Sequence, residues 1–519
     1  MRALSTSIIL SSIALGGWLT GATAQNVVDT AGMAGTLDAT SNGATAGTGG
    51  TTVGVIPQPT IESPGLVTGI TLGELYTDNL KLVAADKSKQ SSWITEIQPF
   101  IKWAGSTPRF SGVLDYTMTG YLYAGQAGYN RLAHDLRAFG TLTIFPQHLF
   151  LDGTASYKRA IINNELPGGS GTFFLTNNMA NIAMGTIGPY WVQDLGRAGN
   201  MLLRYTVGRV LYDDHGISGQ NAGLLSGIPD ITSKALQFSL VSPKDQTWGW
   251  NFGYSDQRIE PDFGQEIEYA IAKLGTSWQI NNSVQLLADA GKENRFLPNG
   301  TTDKLDADFW DAGFAWSNTI DNLRLLVGHR FYGRSYDFSW DHTAALLSTT
   351  VSYVERPTDI NQQLLGQSPG DIIFSPIGTS FIPSLRQRQI YLMKRAAGSA
   401  TYLMPSGSLR VSLYDERRTY LMLGDRRERV ANANVDWLFN IGPFTTLTPT
   451  LGWQRYQFQD GQVQHNTYEQ LALVHQFNPK DFGSVRLRHD SRNVDSSLAL
   501  PGSHGYRVNV LFVQWTHLF

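Results

Sequence analysis

The chain contains no cysteine, so a disulfide framework, a thiolate metal site and a cysteine nucleophile are all excluded. Beyond residue 24 it has no stretch of eighteen consecutive apolar residues, and therefore no helix able to cross a bilayer. An excess of one charge is also missing. Lys and Arg total 40 against 43 Asp and Glu, a formal net charge of −3, and no basic block suits nucleic acid. The 10 histidines are scattered, with no H-E-x-x-H spacing and no carboxylate cluster of metal-ligand type. No cofactor is implied. Arg488-His489-Asp490-Ser491 places His, Asp and Ser side by side, but neighbours on a strand point to opposite faces, so no catalytic triad follows and no enzyme is expected. Asp213-Asp214-His215 in a Gly-rich stretch has the chemistry of a weak Ca²⁺ site, although a solvated loop explains it more simply.

What the chain does have is aromatic residues, 21 Tyr, 13 Trp and 24 Phe, and 53 glycines for turns. Its N-terminus carries an address. Arg2 precedes a short apolar run from Ile8 to Leu19, followed by Ala22-Thr23-Ala24, a small-residue cleavage site. Residues 1–24 read as a signal peptide for the general secretory route. Residues 25–65, rich in Ala, Gly, Thr and Ser with Pro57, Pro59 and Pro64, read as a flexible periplasmic lead, too short for a plug domain of the kind TonB-dependent receptors carry.

From residue 66 to 519 the chain alternates. Trp248, Trp250, Phe252 and Tyr254 share one face of a strand, and Gly249, Asn251, Gly253 and Ser255 the other. Trp310, Ala312, Phe314 and Trp316 oppose Asp311, Gly313 and Ser317; Tyr336, Phe338 and Trp340 oppose Asp337, Ser339 and Asp341; Val435, Trp437 and Phe439 oppose Asn434 and Asp436. A lipid-facing row opposite a water-facing row predicts an all-β protein, a transmembrane antiparallel up-and-down β-barrel. The connections alternate in length. Tight turns fall at Pro146-Gln147, Pro243-Lys244-Asp245, Asn281-Asn282, Asp321-Asn322, Ser406-Gly407, Gly442-Pro443 and Asn478-Pro479-Lys480, and longer loops near 161–171, 213–229, 296–304, 359–384 and 495–503. The tally is about 22 strands, with 18 to 24 allowed by the boundaries. Residues 333–345 read equally as two short strands or one bent one. The chain ends on a strand whose Trp515 and Phe519 fit the terminal assembly signal of bacterial outer-membrane barrels, whereas His517 does not.

Alternation assigns Glu96, Lys102, Asp115, Arg137, Asp152, Lys158, Arg204, Lys273, Asp289, Asp311, Arg324, Arg330, Asp337, Asp341, Arg410, Asp436, Arg486 and Arg488 to the lumen. Both signs are present, so these groups either brace the wall in pairs or line a polar, weakly selective passage. The loop 359–384 is the longest, with a turn at Ser368-Pro369-Gly370 and apolar Ile372, Ile373 and Phe374 after it. It is read either as a constriction folded into the barrel or as a surface loop.

Several segments resemble the outer-membrane β-barrel proteins associated with the PEP-CTERM and exosortase system, found beside exopolysaccharide genes. The similar tracts are Glu74-Leu75-Tyr76-Thr77-Asp78-Asn79-Leu80, Thr95-Glu96-Ile97-Gln98-Pro99, Asp115-Tyr116, His148-Leu149-Phe150-Leu151-Asp152, Gly328-His329-Arg330-Phe331-Tyr332-Gly333 and Arg488-His489-Asp490-Ser491-Arg492. Phe100 stands where that pattern more often has Gly. The resemblance implies a protein of the Gram-negative outer membrane, in contact with its lipid and with the barrel-assembly machinery, serving export or surface organisation of an exopolysaccharide together with its export proteins. It carries no catalytic residues. Two functions remain in view: a porin-like channel passing exopolysaccharide or small polar solutes, and a non-conducting scaffold or adhesion barrel organising the polymer at the cell surface.

Overall fold

The computed structural model describes residues 65–161, 163–169, 171–176, 178–213, 228–243, 246–296, 302–366, 389–421, 426–495 and 502–519; the expected signal peptide and most of the lead lie outside them. The strands are β1 (Gly65–Thr77), β2 (Ser92–Ser106), β3 (Phe110–Tyr123), β4 (Arg131–Phe145), β5 (Leu149–Ile161), β6 (Met179–Asp194), β7 (Asn200–Asp213), β8 (Ile231–Val241), β9 (Trp248–Pro261), β10 (Ile267–Asn281), β11 (Val284–Phe296), β12 (Thr302–Ser317), β13 (Asp321–Arg330), β14 (Gly333–Thr343), β15 (Leu347–Thr358), β16 (Tyr391–Met404), β17 (Gly407–Tyr420), β18 (Arg427–Gly442), β19 (Thr445–Gln457), β20 (Val463–Asn478), β21 (Asp481–Val494) and β22 (Tyr506–Leu518). One short helix, α1 (Ile360–Gly366), follows β15.

Each strand pairs antiparallel with the next, and β1 pairs with β22 from Gly69↔Leu518 to Thr77↔Val510, closing a 22-stranded sheet. Closure pairs both edges of the strands through the body of the sheet, the loop-end halves of β14 and β15 excepted, as a sheet in hydrocarbon requires, because unpaired backbone groups there cost several kcal/mol each. The tight turns named above fall at the end that holds Phe519 and the longer loops at the other, where β13 and β14 alone are joined by just two residues, Phe331-Tyr332. At the first of those turns Gln147 takes a left-handed φ of 69°. Of residues 333–345, open between two readings, Gly333–Thr343 form the single strand β14 and the last two enter the turn to β15.

The two faces invert the pattern of a water-soluble protein. Leu274 is 62% exposed, whereas its neighbour Lys273 is 4% exposed. Side chains on the convex outer wall diverge, and those on the inner wall converge. The outer face therefore presents Leu72, Ile97, Phe252, Leu413, Leu451, Leu471 and Leu487, an apolar belt matched to lipid. Trp191, Trp248, Trp278, Trp437 and Trp515 lie outward toward the tight-turn end, and Trp93, Trp310 and Trp453 nearer the loop end, as two interfacial girdles do. Replacing Phe314, on the outer row of β12 between Trp310 and Trp316, with Arg should cost about 2–4 kcal/mol of folding stability in bilayers. A urea midpoint unchanged from that of the parent protein would remove this position from the hydrocarbon.

The seam between β1 and β22 explains two departures from pattern. Phe100 is buried on the inner face, and a Cβ built at Gly69 would come 2.5 Å from its ring, so the glycine makes room for it. His517 sits on the outward row between Trp515 and Phe519, with ring centroids 5.7 and 5.6 Å away. Its Nδ1 lies 2.9 Å from Asp481 Oδ1, so the imidazole extends the aromatic row while its polar edge is satisfied. The Phe519 N–H donates to Thr68 O at 3.0 Å, fixing the chain end to the first strand.

Candidate functional site in the barrel lumen

Register and pairing place the charged residues named above on the inner wall. Lys102 Nζ lies 3.2 Å from Asp115, and Arg137 stands opposite Asp115 on β4. Arg204 reaches Asp152 at 3.0 Å while its guanidinium covers the Tyr190 ring at 4.3 Å; Lys158 follows on the same face of β5. Lys273 lies 3.7 Å from Asp289, and Arg330 bridges Glu293 at 2.7 Å and Asp311 at 2.9 Å. Arg324 is 3.6 Å from Asp337, and Asp341 lies two residues further along the same face. Arg410 faces Asp436 in register, and Asp436 accepts from Asn434 and Thr450. Arg488 holds Asp490 at 2.7 Å, Arg486 stacks 3.8 Å from the Phe512 ring, and Glu96 accepts from Gln98 and Gln514. The arrangement neutralises charge locally, by neighbours on the wall, instead of building a ring of one sign. By contrast, His489 faces outward to Asn509 while Asp490 faces inward, so the run Arg488–Ser491 does not assemble a triad.

The densest part of the wall was not singled out by sequence. Glu416 receives Arg395 at 2.6 Å and Arg418 at 2.5 Å, and accepts from the Tyr414 hydroxyl. Arg418 also reaches Glu428 at 3.4 Å and the Tyr456 hydroxyl at 2.7 Å. The Arg418 and Glu416 side chains have no exposed surface. The signal was present: Glu416 and Arg418 continue the parity of Arg410 along β17.

Two segments from the loop end fold into the lumen. The first, between β5 and β6, inserts Phe173 and Phe174 against Leu75, Ile94, Tyr121, Tyr123, Val508 and Phe512 of the wall, with Leu80 and Leu82 from the β1–β2 connection. It is tied by backbone acceptors: Tyr123 donates to Phe173 O at 2.5 Å, Arg131 to Thr172 O and Phe174 O, and Arg492 to Glu165 O and Leu166 O. The second is α1. Ile360 and Leu364 pack on Ala160, Ile182, Val210, Ile231 and Ile259 from β5 to β9, while Gln363 donates to the Tyr391 hydroxyl on β16 at 2.5 Å. The helix therefore bridges distant sectors of the wall. Of the two readings of the loop 359–384, its first turns follow the constriction; Ser368-Pro369-Gly370, Ile372, Ile373 and Phe374 lie outside the described residues, as do Asp214 and His215. A sequence signal for α1 existed in Asp359-Ile360-Asn361-Gln362, an N-cap with Gln at the third helical position.

Asp359 caps this helix, accepting the Gln362 N–H at 2.6 Å through Oδ1, while Oδ2 has no hydrogen-bond partner. Burial pushes its carboxyl up to about 6 from 3.8, against the lowering effect of the Gln362 and Asn361 amides. Tyr269 on β10 is the titratable group facing it. When the helix is undocked the carboxyl ionises at its ordinary value; docked, it keeps its proton to about 6. Docking is therefore strongest below about pH 4 and weakens as pH rises through 6, by about 3 kcal/mol at most. Channel openings in planar bilayers should be more frequent at pH 7.5 than at pH 4.5, and Asp359→Asn should flatten that dependence. An equal pH response in the Asn variant would exclude this carboxyl as its origin.

No family model matches the sequence, and no curated protein matches it. Among solved structures, the FrpB iron transporter from Neisseria meningitidis aligns with a TM-score of 0.49 at 10% identity, over 88% of this chain and 83% of that chain. The siderophore receptor PirA from Acinetobacter baumannii aligns with a TM-score of 0.46 at 7% identity, over 88% of this chain and 81% of that one. A ferric enterobactin receptor, PfeA, from Pseudomonas aeruginosa gives 0.45 at 8% identity, with 88% and 81% covered.

Proposed function

We propose that this chain is a channel of the Gram-negative outer membrane, closed in its outer half by two in-folded segments. Its cargo, on this reading, is an uncharged or mixed polar solute, and the resemblance in sequence makes exopolysaccharide the polymer class to test first. The observation that carries the proposal is the location of the obstruction. Two connections between strands fold into the lumen and pack on its wall through side-chain contacts that can be released, and the wall around them is polar and locally neutral. A neutral polar wall offers hydroxyl-rich cargo hydrogen bonds at many positions without trapping ions. The exposed apolar belt and its tryptophan girdles support insertion in a membrane, and on this reading the barrel-assembly machinery is a partner.

Single-channel recording of the mature protein in planar bilayers tests the reading. Discrete openings, reduced by added neutral polysaccharide, are the expected result. Permanent silence, including after removal of residues 360–366, would overturn the channel and favour the scaffold alternative, which the same occlusion supports. On that alternative the outer loops bind the exopolysaccharide or its export proteins and nothing passes.

A further inference from the structure

The ladder between β14 and β15 is the shortest in the barrel. It runs only from Thr343↔Ser348 to Phe338↔Tyr353, although both strands continue toward the loop end. Residues 333–337 of β14 remain paired with β13, and residues 354–358 of β15 remain paired with β16. Two features keep the seam from zipping. The Tyr332 hydroxyl donates to Glu355 O at 3.2 Å, occupying a carbonyl of that edge. Two residues on, Pro357 has no N–H to contribute to a ladder.

A cavity of about 40 Å³ lies at this seam, room for about three waters. Its lining crosses the wall: Lys273, Asp289, Asp311 and Arg330 belong to the lumen face, whereas Tyr336 points outward and is 40% exposed. The height of the gap is set by its neighbours. Trp310 is exposed on the outer face of β12, and the exposed pair Lys292–Asp308, 3.0 Å apart, stands one position closer to the loop end. The gap therefore lies at the boundary between the apolar belt and water.

We infer that this seam is a lateral portal, through which the head of an amphiphile in the outer leaflet enters the lumen while its chains stay in the bilayer. The lining identifies the head as an uncharged glycan. Both cations are already held, Lys273 by Asp289 and Arg330 by Glu293 and Asp311, so a phosphate would have to displace a carboxylate and would face Asp337 and Glu355 as well. Hydroxyls, in contrast, can donate to those carboxylates and to Ser335 Oγ, whose own proton goes to Asp311, and can accept from Tyr336, while Phe309, beneath the Arg330 guanidinium, adds apolar surface. This route opens sideways and is independent of the two inserts that close the outer half of the axial passage.

The absence of cysteine makes the test direct. Leu326→Cys, on the lumen side of the cavity, and Ser335→Cys are each labelled with bimane and reconstituted in phosphatidylcholine vesicles containing a glucosyl diacylglycerol with brominated chains. Ser339→Cys, where the ladder is closed, is the control. The expected result is at least threefold stronger quenching at positions 326 and 335 than at 339, falling at least twofold when brominated phosphatidylglycerol replaces the glycolipid. The double change Tyr332→Phe and Pro357→Val, which frees the carbonyl and restores the donor, should reduce quenching. No excess over position 339 at either label site, in protein that keeps its folded mobility in unheated gels, would overturn the portal. Equal or stronger quenching by the phosphatidylglycerol would overturn the glycan head.

Discussion

Replacing Leu364 with Asp is expected to open the outer half of the lumen. Leu364 is 3% exposed and sits with Ile360 among Ile182, Val210, Ile231 and Ile259. Burial of these two side chains contributes on the order of 3–6 kcal/mol to holding a helix of one to two turns, which is far below the length at which a helix is stable by itself. A carboxylate in that cluster would have to stay ionised without a partner or take up a proton, and either costs several kcal/mol. The variant therefore has little left to keep α1 docked, and undocking breaks no rung of the barrel, because its ladder does not include the helix. Open probability in planar bilayers should rise by more than an order of magnitude, since each 1.4 kcal/mol corresponds to about tenfold. Leu364→Ala should act in the same direction with smaller effect, through the loss of about 2–5 kcal/mol of packing. Conductance unchanged in the Asp variant, with the barrel folded, would mean that α1 does not obstruct the passage.

The sequence disclosed the barrel more fully than its contents, for a physical reason. A strand between lipid and water must alternate, so Trp248, Trp250, Phe252 and Tyr254 declare both the strand and its outer face, and Asn281-Asn282 or Gly442-Pro443 declare the turn. Inner-face residues follow by parity along each strand. Their partners do not, because pairing depends on register between strands: Asp152 meets Arg204 two strands away, and Arg395, Glu416, Arg418 and Glu428 meet only when β16, β17 and β18 are aligned. The inserts were harder still. Phe173-Phe174 in a glycine-rich connection and Ile360, Leu364 and Leu365 after an Asp cap are apolar residues without strand period, and their burial depends on a cavity that exists only once the sheet has closed. The open seam at β14–β15 has one local sign, Pro357, and its effect becomes visible only when the strands on both sides are seen to continue.

The largest loss of stability from a single lumen substitution is expected at Glu416. Its carboxylate is shared by Arg395 and Arg418, and its side chain and that of Arg418 are fully buried. Glu416→Leu removes the acceptor and leaves two guanidinium groups in a wall whose remaining contacts were arranged around it; breaking a buried pair from one side costs about 3–5 kcal/mol. On the opposite face of the same strand, Asp415 pairs with Arg429 at 2.7 Å, with the side chains 30% and 45% exposed. Asp415→Asn should cost at most about 1 kcal/mol, because solvent already carries most of that interaction. The two variants differ by one position along β17, so strand propensity and depth are nearly matched and the contrast isolates burial. The temperature at which the folded band disappears from unheated gels, together with the urea midpoint in bilayers, should fall clearly for Glu416→Leu and barely for Asp415→Asn. Changing Glu416 to Leu and Glu428 to Gln together with Arg395 and Arg418 both to Met should recover much of the loss, since the desolvation of the two cations and of the carboxylate that Arg418 also held disappears with their charge. A Glu416→Leu protein as stable as Asp415→Asn would show that water reaches this cluster, and would make the sector between β16 and β18 part of the hydrated passage.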